Sequence, residues 1–219
     1  IPGNEILVGF NNGNIGKLQN NRIGLLSLKE GFPKVAISKI LADPAGVIWI
    51  ATAGEGLYYL KNNNLYNINT DDGLTDNFVY DITATQFSNV IAATDHGINI
   101  CNANEKDKVV KTFTSKDGLP DNIVRCLFTA DALNVWLGMQ DGGVQYYNTR
   151  LPDILPPEPW QYGQVNAVMA ISSNVFIATE DRGLLVFNSN ADNKITTLQY
   201  KDERLRKVSC LLRDREGNV

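Results

Sequence analysis

The sequence predicts an all-β protein made of about five repeated, four-stranded antiparallel blades, the architecture of a β-propeller. A strand–turn–strand phrase, V-I-W-I-A-T-A-G-E-G-L-Y-Y-L at Val47–Leu60, recurs along the chain. Its turn glycines are spaced 43, 41, 46 and 40 residues apart: Gly13, Gly56, Gly97, Gly143 and Gly183. Each repeat also resolves into four strand-sized segments. A period of about 40–45 residues with four strands per unit is typical of propeller blades.

The recurring phrase predicts two adjacent strands, B and C, joined by a glycine-containing turn. In the second copy these are the β-rich runs Val47–Ala51 and Leu57–Leu60. In four copies a bulky apolar residue lies seven positions before the turn glycine: Ile6, Trp49, Trp136 and Phe176. The third copy, Val90–Ile100, matches after a gap of one residue.

Two further segments complete each unit. The innermost strand, A, is predicted at Ile37–Ala42, Val79–Ala84, Val124–Thr129, Val165–Ala170 and Val208–Arg213. These runs are apolar on both faces, as expected of sheets that are covered on both sides. The more polar outer strand, D, is predicted at Leu65–Ile68, Val110–Thr114 and Ile195–Tyr200.

The connections repeat as well. D-x-x-G turns at Asp43–Gly46 and Asp214–Gly217 are predicted between strands A and B, since Asp favours the first turn position and Gly the last. The phrase D-G-L-T-D-N at Asp72–Asn77 returns at Asp117–Asn122, and in weaker form at Glu30–Lys34. We expect its glycine at positive φ and its Leu or Phe in the gap between neighbouring blades. The proline-rich stretch Leu155–Trp160 lengthens the outer connection of the fourth unit.

These boundaries predict a single propeller domain, or a piece of one, over residues 1–219. The repeat units are approximately 1–34, 35–77, 78–122, 123–164 and 165–207, with the start of another at 208–219. Either the segment belongs to a longer chain, or five blades close by pairing Val208–Arg213 with Ile6–Phe10. An unclosed array would expose strand edges and apolar blade faces.

Composition narrows the classes of function. The net charge of −4 and the pI of about 5.0 argue against a nucleic-acid partner. No apolar run approaches the length of a membrane span, so we expect no membrane contact by this segment. The three cysteines, Cys101, Cys126 and Cys210, form no C-x-x-C and lie in predicted apolar strands, which favours packing over redox or metal chemistry.

The phrases D-G-L-P-D-N and D-x-x-G-x-I-W-I-A-T-x-x-G-G-L resemble the two-component regulator propeller repeat. Asp43–Leu57 and Asp117–Asn122 match it closely, Asp214–Val219 matches its opening, and the resemblance extends over essentially the whole chain. It implies the periplasmic sensor of a hybrid histidine kinase of the type found in gut Bacteroidetes. Such propellers normally have seven blades, and these sensors usually detect oligosaccharides. The matching residues are turn and packing positions, so they specify the scaffold and not the ligand.

Catalytic chemistry has little support in the sequence. His96 is the only histidine and lies in a predicted turn. Asp71, Asp72 and Asp141 also lie at predicted turns, where Asp is favoured for backbone reasons, and no calcium-loop, phosphate-loop or nucleophile motif is present. We therefore predict no catalytic residue, no metal and no cofactor.

Binding residues are suggested by position within the repeat. The second residue of strand A is polar and different in every copy: Ser38, Tyr80, Arg125, Asn166 and Ser209. The B–C turn tips vary likewise: Asn12, Glu55, His96, Gln140 and Arg182. The B–C turns and D–A loops of a propeller emerge on one face. The candidate ligand-binding residues are therefore Tyr80, Arg125, Asn166, Ser209, His96, Gln140, Arg182, Trp160 and Tyr162, the aromatic ones as platforms for sugar rings. The alternative is that surface loops are polar and variable without binding anything.

The predicted fold and candidate residues allow three hypotheses about function. The first is a non-catalytic sensor that binds an oligosaccharide on the loop face and signals through its parent protein, with a homodimer formed through that parent. The second is a protein-interaction scaffold, which an exposed apolar patch would favour. The third is a propeller lyase or hydrolase.

Overall fold

The computed structural model describes residues 6–26, 32–85, 88–106, 108–131, 133–149, 163–172, 174–188, 195–197 and 206–214. The chain divides into two compact units, Ile1–Thr112 and Phe113–Val219. Every sheet is antiparallel, and within the described residues there is no α-helix. Accordingly, the described part of the chain has no helix suited in length and apolarity to crossing a membrane.

The first unit contains three sheets. The first sheet has the order β1-β2-β3, from β1 (Ile6–Gly9), β2 (Ile15–Gln19) and β3 (Arg22–Leu26). The second has the order β4-β5-β6-β7, from β4 (Ile37–Ala42), β5 (Ile48–Thr52), β6 (Leu57–Lys61) and β7 (Asn64–Ile68). The third comprises β8 (Val79–Ala84), β9 (Asn89–Thr94), β10 (Gly97–Asn102) and β11 (Val109–Phe113), whose last residue reaches the unit boundary.

The second unit contains two sheets. The fourth sheet has the order β12-β13-β14, from β12 (Val124–Asp131), β13 (Asn134–Met139) and β14 (Val144–Asn148). The fifth comprises β15 (Val165–Ile171), β16 (Asn174–Thr179), β17 (Leu184–Asn188) and β18 (Ile195–Thr197). The predicted all-β fold of repeated antiparallel sheets is therefore confirmed.

Four of the five predicted A strands form, as β4, β8, β12 and β15. The fifth prediction, Val208–Arg213, is wrong, because residues 206–214 contain no strand. A strand A obtains its ladder hydrogen bonds from the strand B that follows it, as β4 does from β5. No described segment supplies those bonds to Val208–Arg213. All of the Asp214–Gly217 turn after Asp214, and the Leu155–Trp160 stretch, lie outside the described residues.

The alignment of the first copy on Gly13 is shifted by one residue. In the second, fourth and fifth copies the carbonyl of the turn glycine accepts a hydrogen bond from the last residue of strand B and so closes the B–C turn. The bond from Thr52 N to Gly56 O is an example. In the first copy Phe10 N donates to Asn14 O, so Asn14 and not Gly13 takes that place. Leu7 is therefore the structural counterpart of Trp49, and Ile6 is 57% exposed.

Both faces of the second sheet are buried within the first unit. Trp49, Ala51 and Tyr59 pack with Ile82 and Val90 of the third sheet, in a cluster that also contains Leu74. On the opposite face Ile50 and Tyr58 pack with Ile15 of the first sheet, with Leu7 and Phe32 at the margin. The sheet is thus apolar on both sides because it has a neighbour on both sides. The predicted placement of Leu74 between blades is confirmed.

The second unit buries an equivalent core between its two sheets. Cys126 and Val144 of the fourth sheet pack with Val165, Ile177 and Leu185 of the fifth. Cys126 and Cys101 are buried free thiols, as the packing interpretation predicted, and burial raises the pKa of Cys101 to about 12. Cys210 is exposed, because its segment forms no strand, so the prediction that it packs is wrong.

The D-x-x-G turn between strands A and B is organised by Asp43, which is 6% exposed. Its Oδ1 accepts a hydrogen bond from Val47 N at 2.9 Å, and its Oδ2 accepts one from Trp49 Nε1 at 3.0 Å. Gly46, at φ +81°, donates to the Asp43 carbonyl. One carboxylate therefore joins the turn to the largest buried side chain of the second sheet.

The D–A loops contain a repeated single 3₁₀ turn, at Thr70–Asp72 and Ser115–Asp117. Each is capped by a side chain, that of Asn69 or Thr114, and each ends at a glycine in the left-handed region. Gly73 has φ +97° and Gly118 has φ +103°, which confirms the predicted positive φ. Asp71 and Asp72 belong to the first of these turns, as the backbone interpretation expected.

We expect Asp43→Ala to destabilise the protein by about 2–3 kcal/mol, because the buried Trp49 indole N–H and the Val47 N–H both lose a charged acceptor. Urea unfolding monitored by tryptophan fluorescence measures this loss. The matched control is Asp71→Ala, which removes the same charge from an exposed position of the Thr70–Asp72 turn. Equal stabilities of the two variants would contradict the role assigned to Asp43.

Candidate functional site

A β-bulge occupies the second position of strand A in all four described copies. The pairing with strand B skips the second residue of each of β4, β8, β12 and β15, namely Ser38, Tyr80, Arg125 and Asn166, and β12 has a second shift at Ala130. A bulge leaves its extra residue out of the ladder and changes the direction of its side chain. This explains how polar side chains of different size are accommodated at one point of otherwise apolar strands.

The B–C turn of each sheet lies against the segment that leads into a strand A. In the first unit Gly54 N and Gly56 N both donate to Asn77 O, at 3.2 and 2.8 Å. In the second unit Asp141 N donates to Asp121 Oδ2 at 2.8 Å. Asn77 and Asp121 both belong to copies of the D-G-L-x-D-N phrase. The predicted grouping of B–C turns with D–A loops is thus present in each unit.

A buried threonine supports three of the B–C turns. Thr52, Thr94 and Thr179 are fully buried, and each Oγ1 donates to the carbonyl of the turn glycine at 2.6–2.9 Å. Each Oγ1 also accepts a hydrogen bond from a backbone N–H at the turn tip, that of Glu55, His96 or Arg182. The varied tip residues are therefore carried on a backbone that buried hydrogen bonds hold in place.

The residue that follows strand B is held beside the bulge residue of the same sheet. The backbone N–H groups of Ala53, Gln140 and Glu180 donate to the carbonyls of Ala36, Ile123 and Gln164, each two residues before a bulge residue. In two sheets the side chains meet as well: Tyr80 Oη donates to Asp95 Oδ1 at 2.7 Å, and Asn166 Nδ2 donates to Glu180 Oε2 at 2.9 Å. We call the bulge residue and the residue directly after strand B of the same sheet its bulge–tip pair. The second member is thus Asp95 or Glu180, and not the neighbouring turn-tip residue His96 or Arg182.

In the first unit the bulge–tip pair Tyr80–Asp95 belongs to a larger polar and aromatic cluster. His96 Nδ1 lies 2.7 Å from Asp76 Oδ2, and the His96 side chain is 64% exposed. Asp76 Oδ1 accepts a hydrogen bond from Phe78 N, and the Phe78 and Tyr80 rings lie 4.7 Å apart. The cluster thus offers carboxylates and an imidazole next to an aromatic pair.

In the second unit a lysine side chain contacts the bulge–tip pair Asn166–Glu180. The Glu180 carboxylate pairs with Lys207 Nζ as well as with Asn166. These hydrogen bonds, with the Lys207 charge and then the Arg125 charge, hold the pKa of Glu180 below its ordinary value. Asn166 Nδ2 also donates to Val208 O at 2.9 Å.

The predicted candidates divide between the units. Tyr80 and His96 lie in the first unit, and Arg125, Gln140, Asn166, Arg182 and Ser209 lie in the second. Arg182 and Ser209 are exposed, whereas Gln140 is half-buried. Trp160 and Tyr162 lie outside the described residues.

Sequence reasoning missed Asp76, Asp95 and Glu180, which contact the predicted candidates His96, Tyr80 and Asn166, and it missed Lys207, which contacts Glu180. A positional signal for Asp95 and Glu180 exists in the sequence, because each directly follows the threonine that ends a strand B. The described residues contain no cluster of three or more side chains suited to binding a metal ion.

The comparisons with known proteins bear on the fold. No family model matches the sequence, and no curated protein matches it. Among solved structures, the extracellular domain of a one-component system from B. thetaiotaomicron is similar with a TM-score of 0.74 and 16% identity, over 97% of this chain and 29% of that one. The extracellular domain of a hybrid two-component system from the same organism has a TM-score of 0.64 and 18% identity, over 87% of this chain and 29% of that one. The WD40 β-propeller domain of Doa1 has a TM-score of 0.66 and 17% identity, over 89% of this chain and 64% of that one.

These similarities define the class: the chain has the fold of a β-propeller. The chain spans less than a third of the length of the two B. thetaiotaomicron proteins. Both of those are extracellular domains of bacterial signalling systems, in agreement with the resemblance found in the repeat phrases. At 16–18% identity the likeness establishes the fold alone.

We expect Lys207→Gln to raise the pKa of Glu180 towards the ordinary value of 4.5, because the largest lowering influence is removed. Since the folded-state pKa is depressed, Glu180 contributes stability above pH 4.5, and this contribution is lost as the pH falls through the folded-state pKa. Carboxyl-carbon NMR titration measures the shift.

The charge-matched control for this titration is Lys116→Gln, in the Ser115–Asp117 turn, which should leave the Glu180 titration unchanged. An unchanged Glu180 pKa in Lys207→Gln would contradict the pairing.

Proposed function

We propose that the chain is the non-catalytic, ligand-sensing part of a periplasmic sensor of a hybrid two-component system. Its ligand is an oligosaccharide, bound at the B–C turns and D–A loops, beside the bulge–tip pairs. The observation that supports this proposal is the repeated bulge: one position in four sheets is left out of the strand pairing, and it carries Ser38, Tyr80, Arg125 or Asn166. A structural role alone would favour one residue type at this position.

The chemistry of the bulge–tip pairs suits a ligand with many hydroxyl groups. Carboxylates such as Asp95 and Glu180 accept hydrogen bonds, Arg125 donates them, and Asn166 does both. Tyr80 and Phe78 add a paired aromatic surface, on which the apolar face of a sugar ring can stack. Few, well-placed polar groups beside aromatic rings are the usual composition of a small-molecule site.

The signalling role and the compartment are proposed from the two B. thetaiotaomicron neighbours, which are extracellular domains of signalling systems. Because this chain spans 29% of each, transmission of the signal and dimerisation are proposed as properties of a longer parent protein. Support for a non-catalytic role comes from His96, whose Nδ1 is engaged by Asp76 on an exposed turn, where water is not excluded from a reaction.

The second candidate function is a scaffold for protein partners. The first sheet favours it, because Ile6, Ile23 and Leu25 are 57%, 56% and 71% exposed. Contiguous exposed apolar surface often marks a protein contact.

A thermal-shift screen against oligosaccharides from plant and host polysaccharides tests the sensor proposal. We expect one chemical class to raise the melting temperature, since a ligand at a hundred times its Kd adds about 2.7 kcal/mol of stability. A protein that melts cooperatively and responds to no member of the panel would favour the scaffold.

Arg125→Ala should weaken binding of an oligosaccharide hit by at least about tenfold, or 1.4 kcal/mol, while the melting temperature stays nearly unchanged. The reason is that Arg125 lies outside the ladder at a bulge. Isothermal titration calorimetry measures the affinity. The control is Arg22→Ala, an equal loss of charge at an exposed position of β3. Undiminished affinity in Arg125→Ala would place the site elsewhere.

A further inference from the structure

Three polar side chains form a hydrogen-bond network beneath the B–C turn of the third sheet. Asn99 and Thr94 are fully buried, and Thr75 is half-buried in the D–A loop that leads into β8. Asn99 Oδ1 accepts a hydrogen bond from Thr75 N at 2.9 Å, and Asn99 Nδ2 donates to Thr75 Oγ1 at 2.7 Å. Thr75 Oγ1 lies 2.9 Å from Thr94 Oγ1. We call Thr75, Thr94 and Asn99 the polar triad.

The hydrogen bonds of the polar triad run in one direction. Thr94 Oγ1 donates its single proton to Gly97 O at 2.9 Å, so it accepts the bond from the Thr75 hydroxyl. Thr75 Oγ1 in turn accepts the bond from Asn99 Nδ2. Thr94 Oγ1 also accepts a bond from His96 N at 3.1 Å. A continuous chain of hydrogen bonds therefore joins the D–A loop to the backbone of the turn tip.

The polar triad closes a ring that includes the exposed side-chain pair of the same turn. Asp76 directly follows Thr75, and Asp76 Oδ2 lies 2.7 Å from His96 Nδ1. The backbone N–H of His96 leads back to the Thr94 hydroxyl. The Thr75 backbone and the Thr94 hydroxyl thus anchor the two sides of the carboxylate–imidazole contact. Asp76 Oδ1 also accepts a bond from Phe78 N, so the ring is continuous with the aromatic pair of the site.

The other sheets show that the fold does not require a polar residue at the place of Asn99. The residue two positions after the turn glycine is Tyr58 in the second sheet and Leu185 in the fifth, and both pack in apolar clusters. In the fourth sheet it is Gln145, whose Nε2 donates to Tyr146 O of the same strand. A buried polar group has a desolvation cost that leucine avoids. The comparison therefore points to a role for Asn99 other than packing.

In the fourth sheet the other two members of the triad are replaced together. Met139 takes the place of Thr94, because its N–H donates to the carbonyl of the turn glycine. Pro120 takes the place of Thr75 in the D-G-L-x-D-N phrase, and proline has neither an N–H nor a hydroxyl to donate. The next residue, Asp121, accepts a hydrogen bond from a backbone N–H of the turn. Its counterpart in the third sheet instead contacts a side chain, the imidazole.

We propose that the polar triad positions the candidate site of the first unit by holding the Asp76 carboxylate on the His96 imidazole. The inference rests on the proposed function, because this cluster is the part of the first unit proposed to contact an oligosaccharide. A carboxylate that accepts from Nδ1 keeps the proton of a neutral imidazole on Nδ1 and leaves Nε2 as an acceptor for a ligand hydroxyl. Side chains that are already ordered also lose less conformational entropy on binding.

Imidazole NMR tests this proposal without any ligand, because His96 is the only histidine of the chain. In proton–nitrogen correlation spectra of the unsubstituted protein at alkaline pH, we expect the Nδ1–H tautomer. Thr75→Val removes the hydroxyl and should raise the population of the Nε2–H tautomer at least about threefold. Thr75→Ser keeps the hydroxyl and should give the spectrum of the unsubstituted protein. Asn99→Leu, which introduces the residue of the fifth sheet, is the second variant and should shift the tautomer as Thr75→Val does.

The matched control is Thr179→Val, which removes an equally buried hydroxyl from a B–C turn of the second unit. It should lower the melting temperature and leave the His96 signals unchanged. An unshifted tautomer in both Thr75→Val and Asn99→Leu would overturn the proposal.

Binding is measured separately, by calorimetry with the oligosaccharide that the thermal-shift screen identifies. Its affinity should be at least about fivefold weaker for Thr75→Val than for Thr75→Ser, because the site must then be ordered on binding. Equal affinities would overturn the link between the triad and the site. A panel without any hit would contradict the proposed function, whereas the tautomer measurement would still decide whether the triad positions His96.

Discussion

The structure depends on one constraint, the burial of apolar sheet faces against neighbouring sheets. The second sheet shows it in full, with Trp49 and Ala51 packed on one side and Ile50 and Tyr58 on the other. A sheet of this kind cannot alternate apolar and polar residues, so it cannot stand alone in water. Repetition solves the problem, because each neighbour covers one face and presents another.

This constraint also determines where chemical variety is permitted. Residues such as Trp49, Leu74 and Thr52 are held by packing or by buried hydrogen bonds, and a change at any of them disturbs the neighbouring sheets. The bulge releases one residue per strand A from that requirement. Because the first residue after strand B is bonded to the backbone just before the bulge, two released positions lie side by side in a sheet. The scaffold therefore creates a pair of variable positions without changing its own packing.

The repeat period allowed most of the fold to be predicted, and β4 and β8 have the predicted bounds. The errors arose where position in sequence and position in the ladder differ. The turn glycine of the first copy precedes the turn-closing residue, Asn14, so a glycine-anchored alignment placed Ile6 where Leu7 belongs. Val208–Arg213 has the composition of a strand, but a strand exists only with a partner. For the site, polarity at the second position of strand A identified Tyr80 and Asn166, whereas their contacts with Asp95 and Glu180 depend on a bulge that composition does not reveal.

The two bulge–tip pairs whose side chains meet show how a constant backbone carries different side-chain chemistry. Tyr80–Asp95 combines an aromatic ring with an acceptor, whereas Asn166–Glu180 is drawn into contact with Lys207 and the charge of Arg125. The backbone geometry that joins the members of a pair is shared, so the difference lies in the side chains alone. Substitution at these positions can thus change the chemical groups that a pair presents while the buried faces, and with them the stability of the array, stay the same.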